Sequence, residues 1–121
     1  MESVKEAERR LLSGEETKTY LSIEGLGDYG RNVREMLFGS GSTILTEGRA
    51  VTAQTPGGTG ALRVAGDFLK KHLPTATVWC SKPTWANHAA IFTASGLNVD
   101  YYPYIDAAGK SLDFPAMLEG L

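Results

Sequence analysis

The sequence has 121 residues, 42% hydrophobic and 21% charged, the proportions of an ordinary soluble globular chain with room for one small domain rather than two. A formal net charge of -2 excludes a broad electrostatic attraction to nucleic acid or to an anionic membrane. No apolar run approaches the roughly 18 residues of a membrane span, and MESVKEAERR lacks the apolar core of a secretory signal, so a cytoplasmic location is the default expectation.

Val4, Ala7, Leu11 and Leu12 fall on one face at helical spacing before Ser13-Gly14, which predicts a short amphipathic helix. The mixed charges of Lys5-Glu6-Ala7-Glu8-Arg9-Arg10 read as its solvated side. Tyr20-Leu21-Ser22-Ile23-Glu24-Gly25 reads as an extended connector. A second helix should follow Gly27-Asp28, where Tyr29, Val33, Met36 and Leu37 repeat at helical intervals, Asp28 caps the first-turn amides and Gly39 supplies the stop.

From Arg49 the pattern changes. Ala50-Val51-Thr52-Ala53-Gln54-Thr55 reads as a short strand, and the turn Pro56-Gly57-Gly58-Thr59-Gly60 leads straight into a helix. That helix turns Ala61, Ala65, Phe68 and Leu69 inward and stops near Leu73-Pro74. Ala76-Thr77-Val78-Trp79-Cys80 reads as strand, with Cys80 a buried and inert thiol because the chain offers it no disulfide partner. Residues 87–95 read as helix ended by Gly96, residues 98–104 as strand, and residues 113–121 as the start of another helix.

Three strands alternating with two helices predict an α/β fold, with right-handed parallel βαβ units in a three-layer α/β/α sheet. The expected division is a helical arm and connector over residues 1–48 and a partial βαβαβ unit over residues 49–121. Neither end coincides with a polar linker, and three short strands leave both sheet edges open. The expectation is therefore an internal piece of a larger domain.

The strongest local signal is the glycine turn between strand and helix. Glycines let a ligand approach the backbone, and helix N-terminal amides point at any anion there. It is not a P-loop, since no Gly-Lys-Ser/Thr follows, and a dinucleotide fingerprint read from Gly58 through Gly60 puts Arg63 where the third glycine is required. Many such glycines merely close a tight connection, so the turn alone does not decide the chemistry. A second cluster, Ser81-Lys82-Pro83-Thr84-Trp85-Ala86-Asn87-His88, follows the next strand, at the edge where ligands of open α/β sheets collect. Trp85 offers a flat surface for a ring and His88 a group to orient a charged partner; singly, an exposed tryptophan or a capping histidine is the commoner explanation. Lys82 sits in a proline-bearing loop with no desolvating pocket legible around it and reads as a surface residue. No spacing points to a metal site.

Together, Thr-Ala-Gln-Thr-Pro-Gly-Gly-Thr-Gly-Ala-Leu-Arg at 52–63 and Lys-Pro-Thr-Trp-Ala-Asn-His at 82–88 resemble, in order and spacing, the aspartate/aromatic aminotransferases of fold type I. Thr17-Lys18-Thr19-Tyr20-Leu21-Ser22-Ile23-Glu24-Gly25 upstream is similar too, as are Tyr101-Tyr102-Pro103-Tyr104 and Leu112-Asp113-Phe114, so the resemblance spans nearly the whole chain. It implies a segment of the large domain of a pyridoxal 5'-phosphate-dependent transferase, acting on an amino acid and a 2-oxo acid as a homodimer.

The resemblance carries cofactor-phosphate binding onto Gly57, Gly58 and Thr59, with the Thr59 hydroxyl as an added donor; some members have serine where Gly57 stands. It makes Trp85 the residue that stacks on the pyridine ring, and His88 the one that hydrogen-bonds the aspartate facing the ring nitrogen. Tyr20 becomes a tyrosine reaching the cofactor phosphate of the other subunit. The family's cofactor-bearing lysine, that aspartate, the phosphate-binding arginine and the arginine for the substrate carboxylate lie downstream in this family and are matched nowhere in these residues. The chain by itself is therefore expected to transfer no amino group. Two other readings stand beside this one: a self-sufficient flavodoxin-like module that uses the glycine turn for a phosphorylated ligand, and an inactive product of a truncated gene.

Overall fold

The computed structural model describes all 121 residues, and its sheet consists of two parallel strands, β1 (Thr77–Lys82) and β2 (Asn98–Pro103). They pair in register from Thr77 opposite Asn98 to Lys82 opposite Pro103, so Val78 faces Val99 and both are half-buried on one side of the pleat. A parallel pair needs a crossover, and here it is a helix, Ala86–Ala94, that packs on both strands. The expected α/β class is what the chain adopts.

The helices, in chain order, are α1 (Glu2–Gly14), α2 (Gly27–Phe38), α3 (Thr43–Thr46), α4 (Gly57–His72), α5 (Ala86–Ala94) and α6 (Phe114–Gly120). Five follow the predicted periodicities to within a residue or two. The single turn α3 was not predicted: the Ser42 hydroxyl accepts from the Ile44 N–H at 3.3 Å and caps it, but four residues are too few for a periodic pattern. Asp28 does not cap α2. The cap position falls to Leu26, and the Asp28 carboxylate, inside the first turn, pairs with Arg31 at 2.9 Å.

The strand expected over residues 50–55 does not form. The Gln54 N–H donates to the Glu24 carbonyl and the Thr55 carbonyl accepts from Gly57 just downstream, with no strand beside the run to complete a ladder. Thr52 adds a side-chain bond to the Gly30 carbonyl at 3.3 Å.

The chain divides into two compact units, Met1–Gln54 and Thr55–Leu121. In the first, α1 carries its ion pairs Arg9–Glu6 and Arg10–Glu6 on the charged side as predicted, while Leu11 and Leu12 remain exposed and no residue of the helix is buried. In the second, α5 packs on α4 and on both strands, and Leu97 is 4% exposed and Cys80 7%, the buried thiol the sequence implied. After β2 a turn is organised by Asp106, which accepts from the Lys110 N–H at 3.0 Å and the Ser111 hydroxyl at 2.5 Å. The Ser111 bond first, then the backbone N–H of Lys110, hold this carboxyl below its ordinary range. Asp113 caps α6 by accepting from the Ala116 N–H at 3.1 Å. No helix is long and apolar enough to cross a membrane.

The chain leaves 9483 Å² accessible. Even two independent globules sharing its 13.0 kDa would expose only about 7,600 Å² between them. Phe68, Trp79, Trp85, Tyr101 and Phe114 are among the large side chains left uncovered, which argues against a self-sufficient module.

Candidate functional site

The N-terminus of α4 is bare. Pro56 occupies the cap position and cannot supply a side-chain acceptor, the first turn holds no acid, and the amides of Gly58 and Thr59 find no acceptor within the chain. Gly57 enters the helix at φ 69, a left-handed conformation that a side chain would strain, and its N–H is folded back onto the Thr55 carbonyl at 2.8 Å. The donors that face outward unpaired are therefore Gly58 and Thr59, and Gly57 joins them only by giving up that bond. At the far end, Lys70, Lys71 and His72 complement the negative pole of the same helix.

The second cluster is built at the start of α5. Trp85 is the residue before the helix, 51% exposed. Its ring meets the His88 ring edge to face, with centroids 5.4 Å apart and planes at 88°. The His88 N–H donates to the Trp85 carbonyl at 3.0 Å, and the Thr84 hydroxyl lies 2.7 Å from His88 Nδ1. Thr84 thus occupies one ring nitrogen and leaves Nε2 for another partner. Sequence reasoning passed over Thr84; its spacing of four before His88, across a helix start, was the available signal.

These two helix starts share an edge. Gly66 of α4 packs on Ser95 at the end of α5, close enough that a Cβ on Gly66 would stand 2.5 Å from Ser95 Oγ. Counting back equal numbers of residues from Gly66 and Ser95 reaches Gly57 and Ala86, and both helices lead toward the N-terminal ends of strands, α4 into β1 and α5 into β2. Their N-termini consequently point toward the carboxyl edge of the parallel pair.

Tyr20 belongs to the other unit, is 104% exposed and makes no side-chain hydrogen bond. Lys82 ends β1, also exposed. A groove of about 680 Å³ lies by Leu11, Thr17, Leu21 and Leu26 in the first unit.

Unpaired amides at a helix start with no nearby acid suit a phosphate, and an exposed indole suits a flat ring; together the donor set fits a phosphorylated aromatic cofactor. An α/β fold with such a site defines a class of cofactor-dependent enzymes. Residues 1–121 match the family model for aminotransferase class I and II. The chain is 53% identical over 119 residues to an aspartate aminotransferase of Salmonella typhi, covering 98% of this chain and 30% of that one. It is 47% identical over 121 residues to an aromatic-amino-acid aminotransferase of Pseudomonas aeruginosa, covering 100% and 30%. Among solved structures, an aromatic-amino-acid aminotransferase of Burkholderia pseudomallei covalently bound to pyridoxal phosphate superposes with a TM-score of 0.89 at 40% identity, over 97% of this chain and 29% of that one. The chain belongs to the class I and II aminotransferase family, and it spans about 30% of the length of the relatives it matches.

Proposed function

We propose that this chain forms part of the cofactor site of a cytoplasmic, homodimeric aminotransferase that exchanges the amino group of aspartate or an aromatic amino acid with a 2-oxo acid. The observation that supports the reading is that two helices in contact, α4 and α5, begin one with the unpaired Gly58 and Thr59 amides and the other beside the exposed Trp85 ring. Relatives named for aspartate and for aromatic amino acids, at 53% and 47% identity, support both substrate classes.

Pyridoxal 5'-phosphate, when bound, supplies an electron sink and carries the amino group between the two substrates. Gly57, Gly58 and Thr59 hold the phosphate through their N–H groups and the Thr59 hydroxyl, aided by the positive end of α4. Trp85 supports the ring plane, so that the bond to be broken is held aligned with the π-system. His88, with Nδ1 engaged by Thr84, presents Nε2 to the acid that faces the ring nitrogen. Tyr20 reaches the cofactor phosphate of the second subunit. The lysine that bears the cofactor, the acid and the arginines come from outside these 121 residues, and the segment alone transfers no amino group.

The test is to titrate the full-length protein with pyridoxal phosphate, then assay transfer from aspartate and from phenylalanine to 2-oxoglutarate. The reading expects a protein-bound absorbance band and transfer from at least one donor. A full-length protein that binds the cofactor no better than an unrelated protein of equal lysine content would overturn it.

A further inference from the structure

Gln54 grips the connector on both sides of Gly25. Its N–H donates to the Glu24 carbonyl at 2.9 Å, and its Oε1 accepts from the Leu26 N–H at 3.0 Å. Gly25 lies between these anchored peptides at φ 88, and a Cβ there would stand 2.4 Å from Gln54 Cβ and 2.6 Å from Oε1, so glycine alone lets the glutamine lie this close. The Gly25 N–H donates to the Ser22 carbonyl at 3.0 Å, and the Ser22 hydroxyl donates to the Gly25 carbonyl at 3.1 Å. These bonds close a turn that begins two residues after Tyr20. The Tyr20 side chain is fully exposed and makes no hydrogen bond of its own, so what this turn fixes is the path of the backbone that carries it.

We infer that Gln54 is a positioning residue: by locking the turn behind Tyr20, it fixes how the tyrosine is presented to the phosphate of a cofactor held by a second copy of the chain. The inference rests on the reading of Tyr20 above. Gln54 then acts on affinity for the phosphate through Tyr20, not by contact with the cofactor.

The experiment uses the full-length protein and compares binding of pyridoxal phosphate with binding of pyridoxal, which lacks the phosphate. Gln54→Met keeps the side-chain length but removes the acceptor, and one lost neutral hydrogen bond corresponds to weakening of pyridoxal phosphate binding by between about two- and twelve-fold. Pyridoxal binding should be unchanged, Gln54→Glu, which retains an acceptor oxygen, should stay near wild type, and Gln54→Met should add nothing in a Tyr20→Phe background. Gly25→Ala, whose Cβ displaces the glutamine, gives the same readout should Gln54→Met fail to fold. Equal losses for the two ligands, losses that add to that of Tyr20→Phe, or no loss at all would each overturn the inference while leaving the cofactor reading intact. A wild-type protein that binds no pyridoxal phosphate overturns both.

Discussion

Replacing Gly66 by alanine sets two effects of opposite sign against each other. In an exposed helix interior the change would stabilise by about 1 kcal/mol, because alanine is the better helix former. At this position the new methyl would sit 2.5 Å from Ser95 Oγ, 3.0 Å from Ser95 Cβ and 3.4 Å from Phe92 Cδ1. The hydroxyl can rotate away only by giving up its bond to the Ile91 carbonyl, and the Ser95 Cβ cannot rotate at all, so α4 and α5 must part. Overpacking of this kind costs about 1–3 kcal/mol, and the net expectation is a loss of up to about 2 kcal/mol. Equilibrium urea unfolding of the cofactor-loaded full-length protein reads the change as a lower midpoint at constant slope. If the two helices carry the proposed cofactor site, cofactor affinity should fall in parallel, and Gly66→Ala combined with Ser95→Gly should recover part of both. A Gly66→Ala protein more stable than wild type by about 1 kcal/mol would refute the close-approach argument and leave only helix propensity.

Gly58→Asp should separate stability from binding: a carboxylate in the first turn of α4 favours the helix by about 0.3–1 kcal/mol. The same charge repels a phosphate a few ångströms away and should weaken pyridoxal phosphate binding by about tenfold or more, measured by absorbance titration. Thr84→Val removes the hydroxyl at His88 Nδ1, and nitrogen NMR of the imidazole should show the tautomer populations change, whereas Thr84→Ser should preserve them. For Asp106 the folded-state carboxyl titrates below its ordinary range, so its contribution to the turn is fully present above the unfolded-state value and is lost as pH falls through the lower folded-state value. The protection factor of the Lys110 amide should fall over that acid range, and Asp106→Asn should weaken the pH dependence.

Helices were the legible part of the fold because their signal is local: Val4 to Leu12 and Ala61 to Leu69 repeat within the window a helix itself spans. The extended run at 50–55 misled because its composition suits a strand, whereas a strand exists only when a neighbour supplies the ladder, and composition cannot show the neighbour. Asp28 misled by two residues, the distance between a cap and an ion-paired first turn. Of the proposed site, Gly57, Gly58, Thr59, Trp85 and His88 stand out in the sequence as motif residues. The return of the Gly57 N–H to Thr55 and the Thr84–His88 bond are matters of backbone direction, which the motif does not encode.

The parallel packing of α4 and α5 has an electrical consequence. Each helix ends its peptide dipoles at the same sheet edge, and neither start is neutralised by an acid in its first turn. The two fixed fields point the same way, and they belong to backbone that does not need to reorient when charge arrives. An anion entering that edge therefore meets a polarisation already set by folding. Much of the solvent rearrangement that water would have required for each binding event has been done once, when the chain folded.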